Sequence, residues 1–163
     1  MQHISAMKLV HTGDRAIVFT RVFDAPRRLV WDAMTKPELI QRWLLGPSGW
    51  SMPICNMDLT VGGAYRWVWR REDGFEMGMG GVHLQIVPPE KIVCIQIFDE
   101  DWTGSEAVGT IVLTEHDGQT TLTNTVRYAT PEAREAVLKT PMEDGMAIGY
   151  DRLAEIVSSI PST

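Results

Sequence analysis

Thr140-Pro141-Met142-Glu143-Asp144-Gly145-Met146-Ala147-Ile148-Gly149-Tyr150-Asp151-Arg152-Leu153-Ala154-Glu155-Ile156-Val157-Ser158-Ser159-Ile160 follows a long run of strand-patterned segments. Its opening predicts a helix start. Thr140 can cap free N–H groups, Pro141 suits the first helical position, and Glu143 completes a capping box. Met142, Gly145, Met146, Gly149, Leu153, Ile156 and Ile160 recur on one helical face, with Tyr150 and Val157 on its flank. A glycine inside a helix costs ~1 kcal/mol relative to alanine, so Gly145 and Gly149 need a structural reason. Methionine fits irregular shapes and glycine leaves room. A Met/Gly half followed by an aliphatic half therefore predicts a hollow beneath one end of the helix.

Upstream, residues 15–23 are rich in β-branched and aromatic types and predict a strand. Asp24-Ala25-Pro26 turns the chain into a short helix carrying Leu29, Val30, Ala33 and Met34 inward. Thr35-Lys36-Pro37-Glu38 reads as a second capping box, opening a helix with Leu39, Ile40, Trp43 and Leu44 on one side. Strands are then predicted at 53–60, 64–71, 76–87, 91–99, 106–115 and 119–128, broken by Gly62-Gly63, Asp73-Gly74, Pro88-Pro89 and Asp117-Gly118. Thr130-Pro131 opens a brief helix near 131–138. Short connections favour antiparallel pairing. The expected fold is α+β: a curved seven-stranded antiparallel sheet whose concave face is covered by the helix at 141–160, with two short helices between the first two strands. Residues 1–14 are expected to be flexible or extended, and 15–160 to form a single domain.

The 163 residues fit one domain. A net charge of −6 opposes nucleic acid or an anionic membrane as partner, and Arg66, Arg70 and Arg71 form too short a basic cluster to reverse that. No apolar run approaches the ~20 residues of a membrane span, and Met1-Gln2-His3-Ile4 does not begin like a signal peptide. Cys55 and Cys94 lie apart in apolar strands without CxxC spacing, which reads as reduced thiols in a cytoplasmic protein.

Strand parity nominates residues for the concave face. Tyr65, Trp67 and Trp69 share one face, Met77, Met79 and His83 another, and Leu122, Asn124, Val126 and Tyr128 a third. Strand 91–99 is apolar on both sides: either Gln96 faces inward or the opposite face meets a partner. Trp43 is expected in the core, while Trp50 and Trp102 sit in loop-like segments where they could guard an entrance. Gly78-Met79-Gly80-Gly81 lacks nucleotide-loop spacing and reads as a site of sheet curvature or close backbone approach. His3, His11, His83 and His116 show no metal-ligand spacing. Gly46-Pro47-Ser48-Gly49-Trp50 lacks the context of a nucleophile elbow. Glu76, Asp99, Glu100 and Asp101 read as solvated loop-end carboxylates, so no catalytic constellation emerges.

Phe23-Asp24-Ala25-Pro26, Val30-Trp31-Asp32-Ala33, Thr35-Lys36-Pro37-Glu38, Trp43, Gly62-Gly63 and Pro88-Pro89-Glu90-Lys91 together resemble the START-related SRPBCC superfamily, in its branch of activator-of-heat-shock-protein-90-ATPase homologue-like proteins. The resemblance spans roughly residues 15–160. It implies a helix-grip fold with a cavity between sheet and helix, and no single reaction. Combined with the residues, it leads to an expected binder of a small, largely apolar or amphipathic molecule that needs no cofactor and no metal. The expected site is Tyr65, Trp67, Trp69, Met77, Met79, His83, Asn124, Met142, Met146 and Tyr150, with Arg66 as a further group able to orient a polar end. The alternatives are a cyclase, aromatase or hydrolase using the same cavity, and a chaperone-associated interaction module. The branch name suggests the last, but residues 1–14 lack the Asn/Trp/His-rich leader associated with chaperone stimulation. A homodimer through an apolar sheet edge or outer face is compatible with the pattern.

Overall fold

In the computed structural model, residues 6–99 and 106–160 are described. The elements run β1 (Lys8–Thr12), β2 (Ala16–Phe23), α1 (Arg27–Thr35), α2 (Pro37–Trp43), β3 (Trp50–Met57), β4 (Ala64–Arg71), β5 (Glu76–Val87), β6 (Lys91–Phe98), β7 (Ala107–His116), β8 (Gln119–Tyr128), α3 (Pro131–Leu138) and α4 (Met142–Ser159). The strands form one antiparallel sheet in the order β1-β2-β8-β7-β6-β5-β4-β3. The chain therefore leaves the sheet after β2, builds α1 and α2, and re-enters at the far edge.

The sheet has eight strands, not the seven expected. The addition is β1, five largely exposed residues that pair only with β2, from Lys8 opposite Thr20 to Thr12 opposite Ala16. A short edge strand with little to bury carries no strong alternation, so its sequence signal is weak. The strand expected at 53–60 lies earlier, at Trp50–Met57, and its register slips between Ser51 and Ile54 where a bulge bends the edge.

Both capping boxes are corrected. Helix α2 starts at Pro37 after Lys36, and the Thr35 hydroxyl instead donates to Trp31 O within α1. Helix α4 starts at Met142 after Pro141, and the Thr140 hydroxyl donates back to Val137 O. In each case the threonine closes the preceding helix, because only a short turn separates it from the next one. Thr130 does cap α3, accepting from the Ala133 N–H at 3.0 Å. Helix α1 is capped from a distance: Glu115 on β7 accepts from the Arg27 N–H at 2.7 Å, placing a negative charge at the positive helix end.

The main core lies between the sheet and α1, α2 and α4. Ile17, Phe23, Val30, Leu122, Tyr150 and Leu153 are sealed within it. Trp43 belongs there, as expected: its indole donates to Ala33 O at 2.8 Å, and its ring stacks on Tyr150 at 5.9 Å. A smaller cluster of Ile40, Met52 and Cys55 joins α2 to β3, with Trp67 and Trp69 packed against it.

Candidate functional site

Cross-strand pairs point to the same side of a sheet. Register therefore assembles one continuous concave surface: Trp67 opposite Met79 and Met79 opposite Phe98, then His83 opposite Cys94, Cys94 opposite Gly109 and Gly109 opposite Val126. Ile92, Ile111, Asn124 and Phe19 form the next row. Tyr65 and Gly81 pair on this side, as do Trp69 and Met77. Strand β6 thus turns Ile92 and Cys94 inward. Gln96 follows them, its side chain crossing Gly109 so closely that a Cβ there would meet Nε2 at 2.4 Å. The open choice for this strand is resolved: Gln96 is inside, and the odd-numbered residues, including exposed Ile97, lie on the outer face.

Several candidates spend their polar groups on structure. The His83 ring sits 3.0 Å from Asp58 O and 3.2 Å from Gly63 O through Nδ1; both are carbonyls, so Nδ1 carries the proton and pins the β3–β4 connection. The Tyr65 hydroxyl donates to Ile95 O at 2.6 Å, and the Trp69 indole donates to Leu44 O at 2.7 Å. Arg66 projects from the outer face and grips Asp99 in a bidentate pair at 2.6 and 2.5 Å that passes over Gly78. It is unavailable to the concave side. Arg70 and Arg71 are likewise paired, with Glu76 and Asp73, so the basic cluster is neutralised locally. Trp50 packs edge-on against Phe75, with the Arg71 guanidinium over both rings, and so braces the end of β3. His3, Trp102, Glu100 and Asp101 lie outside the described residues.

The glycine face of α4 is not hollow. A Cβ on Gly145 would lie 3.6 Å from Gly46 Cα, one on Gly149 would lie 3.1 Å from Trp43 O, and Arg152 one turn on donates to Gly46 O at 2.8 Å. This stripe seats the chain leaving α2, and close approach is what the glycines supply. On the neighbouring stripe, Tyr150 and Leu153 are sealed in the core, and Met142 and Met146 are half-buried against it. Asn124 Nδ2 donates to the Tyr150 hydroxyl at 3.3 Å, while Asn124 Oδ1 and Trp67 Nε1 are buried without hydrogen-bond partners among the described residues.

Solvent access changes along this surface. Tyr150, Leu153, Leu122 and Ile17 are 0% exposed, whereas Ile92 and Val126 keep 6%, Tyr128 8% and Asn124 9% of their surface. Farther along, Trp67, Met77, Gln96, Phe98, Ile111, Met142 and Met146 are only half-buried. An apolar shelf thus remains partly uncovered beyond the sealed core. Two shallow surface hollows of about 470 and 340 Å³ lie elsewhere, along α3 and beside Arg27, Glu90 and Thr114, and contain none of the candidate residues.

The shelf is chemically neutral. Burial holds the Tyr150 and Tyr128 phenols up at about 12, although the Asn124 hydrogen bond acts in the opposite sense on Tyr150. Burial, then Cys94, pushes Tyr65 upward. Burial, then Glu38, raises Cys55 to about 11, and burial raises Cys94. Thiols and phenols are therefore protonated at neutral pH, able to hydrogen-bond but not poised as nucleophiles. Among the described residues, no three His, Cys, Asp or Glu side chains come together as a metal site, and no helix is long and apolar enough to cross a membrane.

One charged residue escaped the sequence reading. Arg21 is 2% exposed on the inner face of β2, its guanidinium bonded to Asp151 of α4 at 2.7 Å and lying 5.5 Å from the Phe23 ring centre. Its parity with Ile17, Phe19 and Phe23 was the available signal.

A family model described as activator of Hsp90 ATPase homolog 1-like protein matches residues 24–158. The chain belongs to that family. Among solved structures, a Rhodobacter sphaeroides protein is 31% identical with a TM-score of 0.90, over 96% of this chain and 100% of its own. A Chromobacterium violaceum protein is 26% identical with a TM-score of 0.73, over 89% and 99%. A Mycobacterium smegmatis protein at 21% identity shares the fold alone, with a TM-score of 0.82 over 98% and 99%. Comparison with curated proteins gave no match. Activator of Hsp90 ATPase homolog 1-like membership and the helix-grip architecture account for each other: the matched span runs from the turn before α1 to the end of α4, the segment that frames the concave shelf.

Proposed function

We propose that this cytoplasmic protein binds a small, largely apolar molecule on the concave face of β4–β8, beneath the N-terminal half of α4. The observation that carries the reading is the uncovered apolar shelf. Trp67, Met77, Phe98 and Ile111 lie on a sheet face that retains solvent access, Met142 and Met146 of α4 are half-buried against the main core, and the adjoining core is sealed. Covering such surface contributes roughly 25 cal/mol per Å². Methionines on both walls allow the contact to adapt to ligand shape. Neutral Asn124, Tyr150, Gln96 and the Trp67 indole supply orientation without charge, as expected of a site for an uncharged ligand.

The test is fluorescence titration with N-phenylnaphthylamine, an uncharged apolar probe, on wild type and Met146→Trp. Wild type should bind one equivalent, and the bulkier side chain should weaken binding about tenfold or more with the thermal transition retained. No binding to wild type, or equal binding to both, would contradict the placement.

Exposed Val82, Leu84 and Ile97 on the outer face favour a second, compatible reading, a homodimer packed through that face. Sedimentation should then show a dimer that Leu84→Glu dissociates; a monomeric wild type removes this reading.

A further inference from the structure

Asn124 and Tyr150 present a hydrogen-bonding pair that cannot satisfy itself. As placed, Asn124 Nδ2 donates to the Tyr150 hydroxyl, leaving Oδ1 without a donor among the described residues. With the amide turned over, the Tyr150 O–H would donate to Oδ1 and Nδ2 would lack an acceptor instead. Either way, the pair holds unused polar capacity on a residue that is 91% buried, given its 9% exposure. The row offers no remedy, since its cross-strand neighbours are Phe19 and Ile111. Unmatched buried groups are destabilising. Asn124 keeps 9% of its surface beside half-buried Ile111, at the inner limit of the shelf, but Oδ1 itself is covered, so a ligand reaches it by moving the side chains around it.

We infer that Asn124 and Tyr150 form a hydroxyl-recognition subsite, so that the ligand class is an apolar alcohol or phenol. This rests on the binding reading given above. In the orientation found, a hydroxyl can donate to Oδ1 and accept from the Tyr150 O–H, completing both groups with one oxygen. A carboxylate is disfavoured: the nearest buried cation on this face, Arg21, is already bonded to Asp151, and an unpaired buried anion is costly. Burial keeps Tyr150 protonated, and so a donor, throughout the neutral range.

Competition titrations with naphthol and methylnaphthalene, matched in shape and differing in the hydroxyl, test this. Wild type should prefer naphthol by about tenfold, the ratio corresponding to one net hydrogen bond. Asn124→Leu/Tyr150→Phe should lose the preference for naphthol over methylnaphthalene and melt no lower than wild type. Tyr150→Phe alone, which removes the donor to the ligand oxygen and leaves Asn124 in place, reads a partial loss if the double variant does not fold. Equal wild-type affinities, or a preference undiminished in the variants, overturn the hydroxyl subsite while binding of methylnaphthalene upholds the shelf. Failure of both probes to bind overturns subsite and shelf together.

Discussion

The two halves of α4 rest on different foundations. From Tyr150 onward, Leu153, Ile156 and Val157 are buried against Phe23, Trp43 and the first helix pair, and the interface is filled. Before Tyr150, Gly145 is seated on the α2–β3 connection while Met142 and Met146 lie half-buried against the core. One end is built for stability and the other retains surface. Native proteins commonly place function in the less completely packed region, where burial has not been spent on folding.

Equal truncations should expose that asymmetry. Leu153→Ala should cost about 3 kcal/mol by denaturant unfolding, whereas Met146→Ala should cost about 1, since it removes little fully buried surface. Similar losses would mean that the two ends are packed alike. Next in size is Asp151→Ala, which strips Arg21 of its carboxylate partner. A loss of about 2 kcal/mol is expected, below the value for a fully buried pair because the Asp151 side chain is 69% exposed.

Alkaline titration reads the same sealed end. The Tyr150 phenol is raised from 10.0 to about 12 in the folded state, so the native protein holds its proton after the unfolded chain has released it. Stability from this group is complete below pH 10 and is lost as pH rises towards 12. Unfolding free energy measured across that window should fall less steeply in Tyr150→Phe than in wild type. The smallest effect distinguishes the two helix glycines. Gly145→Ala should stabilise by about 0.5–1 kcal/mol, because its Cβ meets only ordinary contacts at 3.6 and 3.7 Å. Gly149→Ala meets Trp43 O at 3.1 Å and should give less, or a net loss, by thermal denaturation.

What could be read in the sequence followed local periodicity. Alternation in β4 and β8 placed Tyr65, Trp67, Leu122 and Asn124 inward, and 3.6-residue spacing located α4. What could not be read depended on distant or competing partners. Thr35 and Thr140 have the sequence of caps, but each hydroxyl is taken by the helix before it. The residue that caps α1, Glu115, lies 88 positions away. Gly145 and Gly149 suggested empty space, yet spacing alone cannot distinguish a void from a neighbouring backbone. The unsatisfied Asn124 amide shows only once β8 and α4 are brought together.

The decisive measurement is a methyl spectrum of methionine-labelled protein recorded during titration with N-phenylnaphthylamine. The account predicts shifts at Met77, Met79, Met142 and Met146, which border the shelf, with Met34 in α1 and Met52 in the small cluster unmoved. Shifts at Met34 and Met52 with the shelf methionines silent would contradict it.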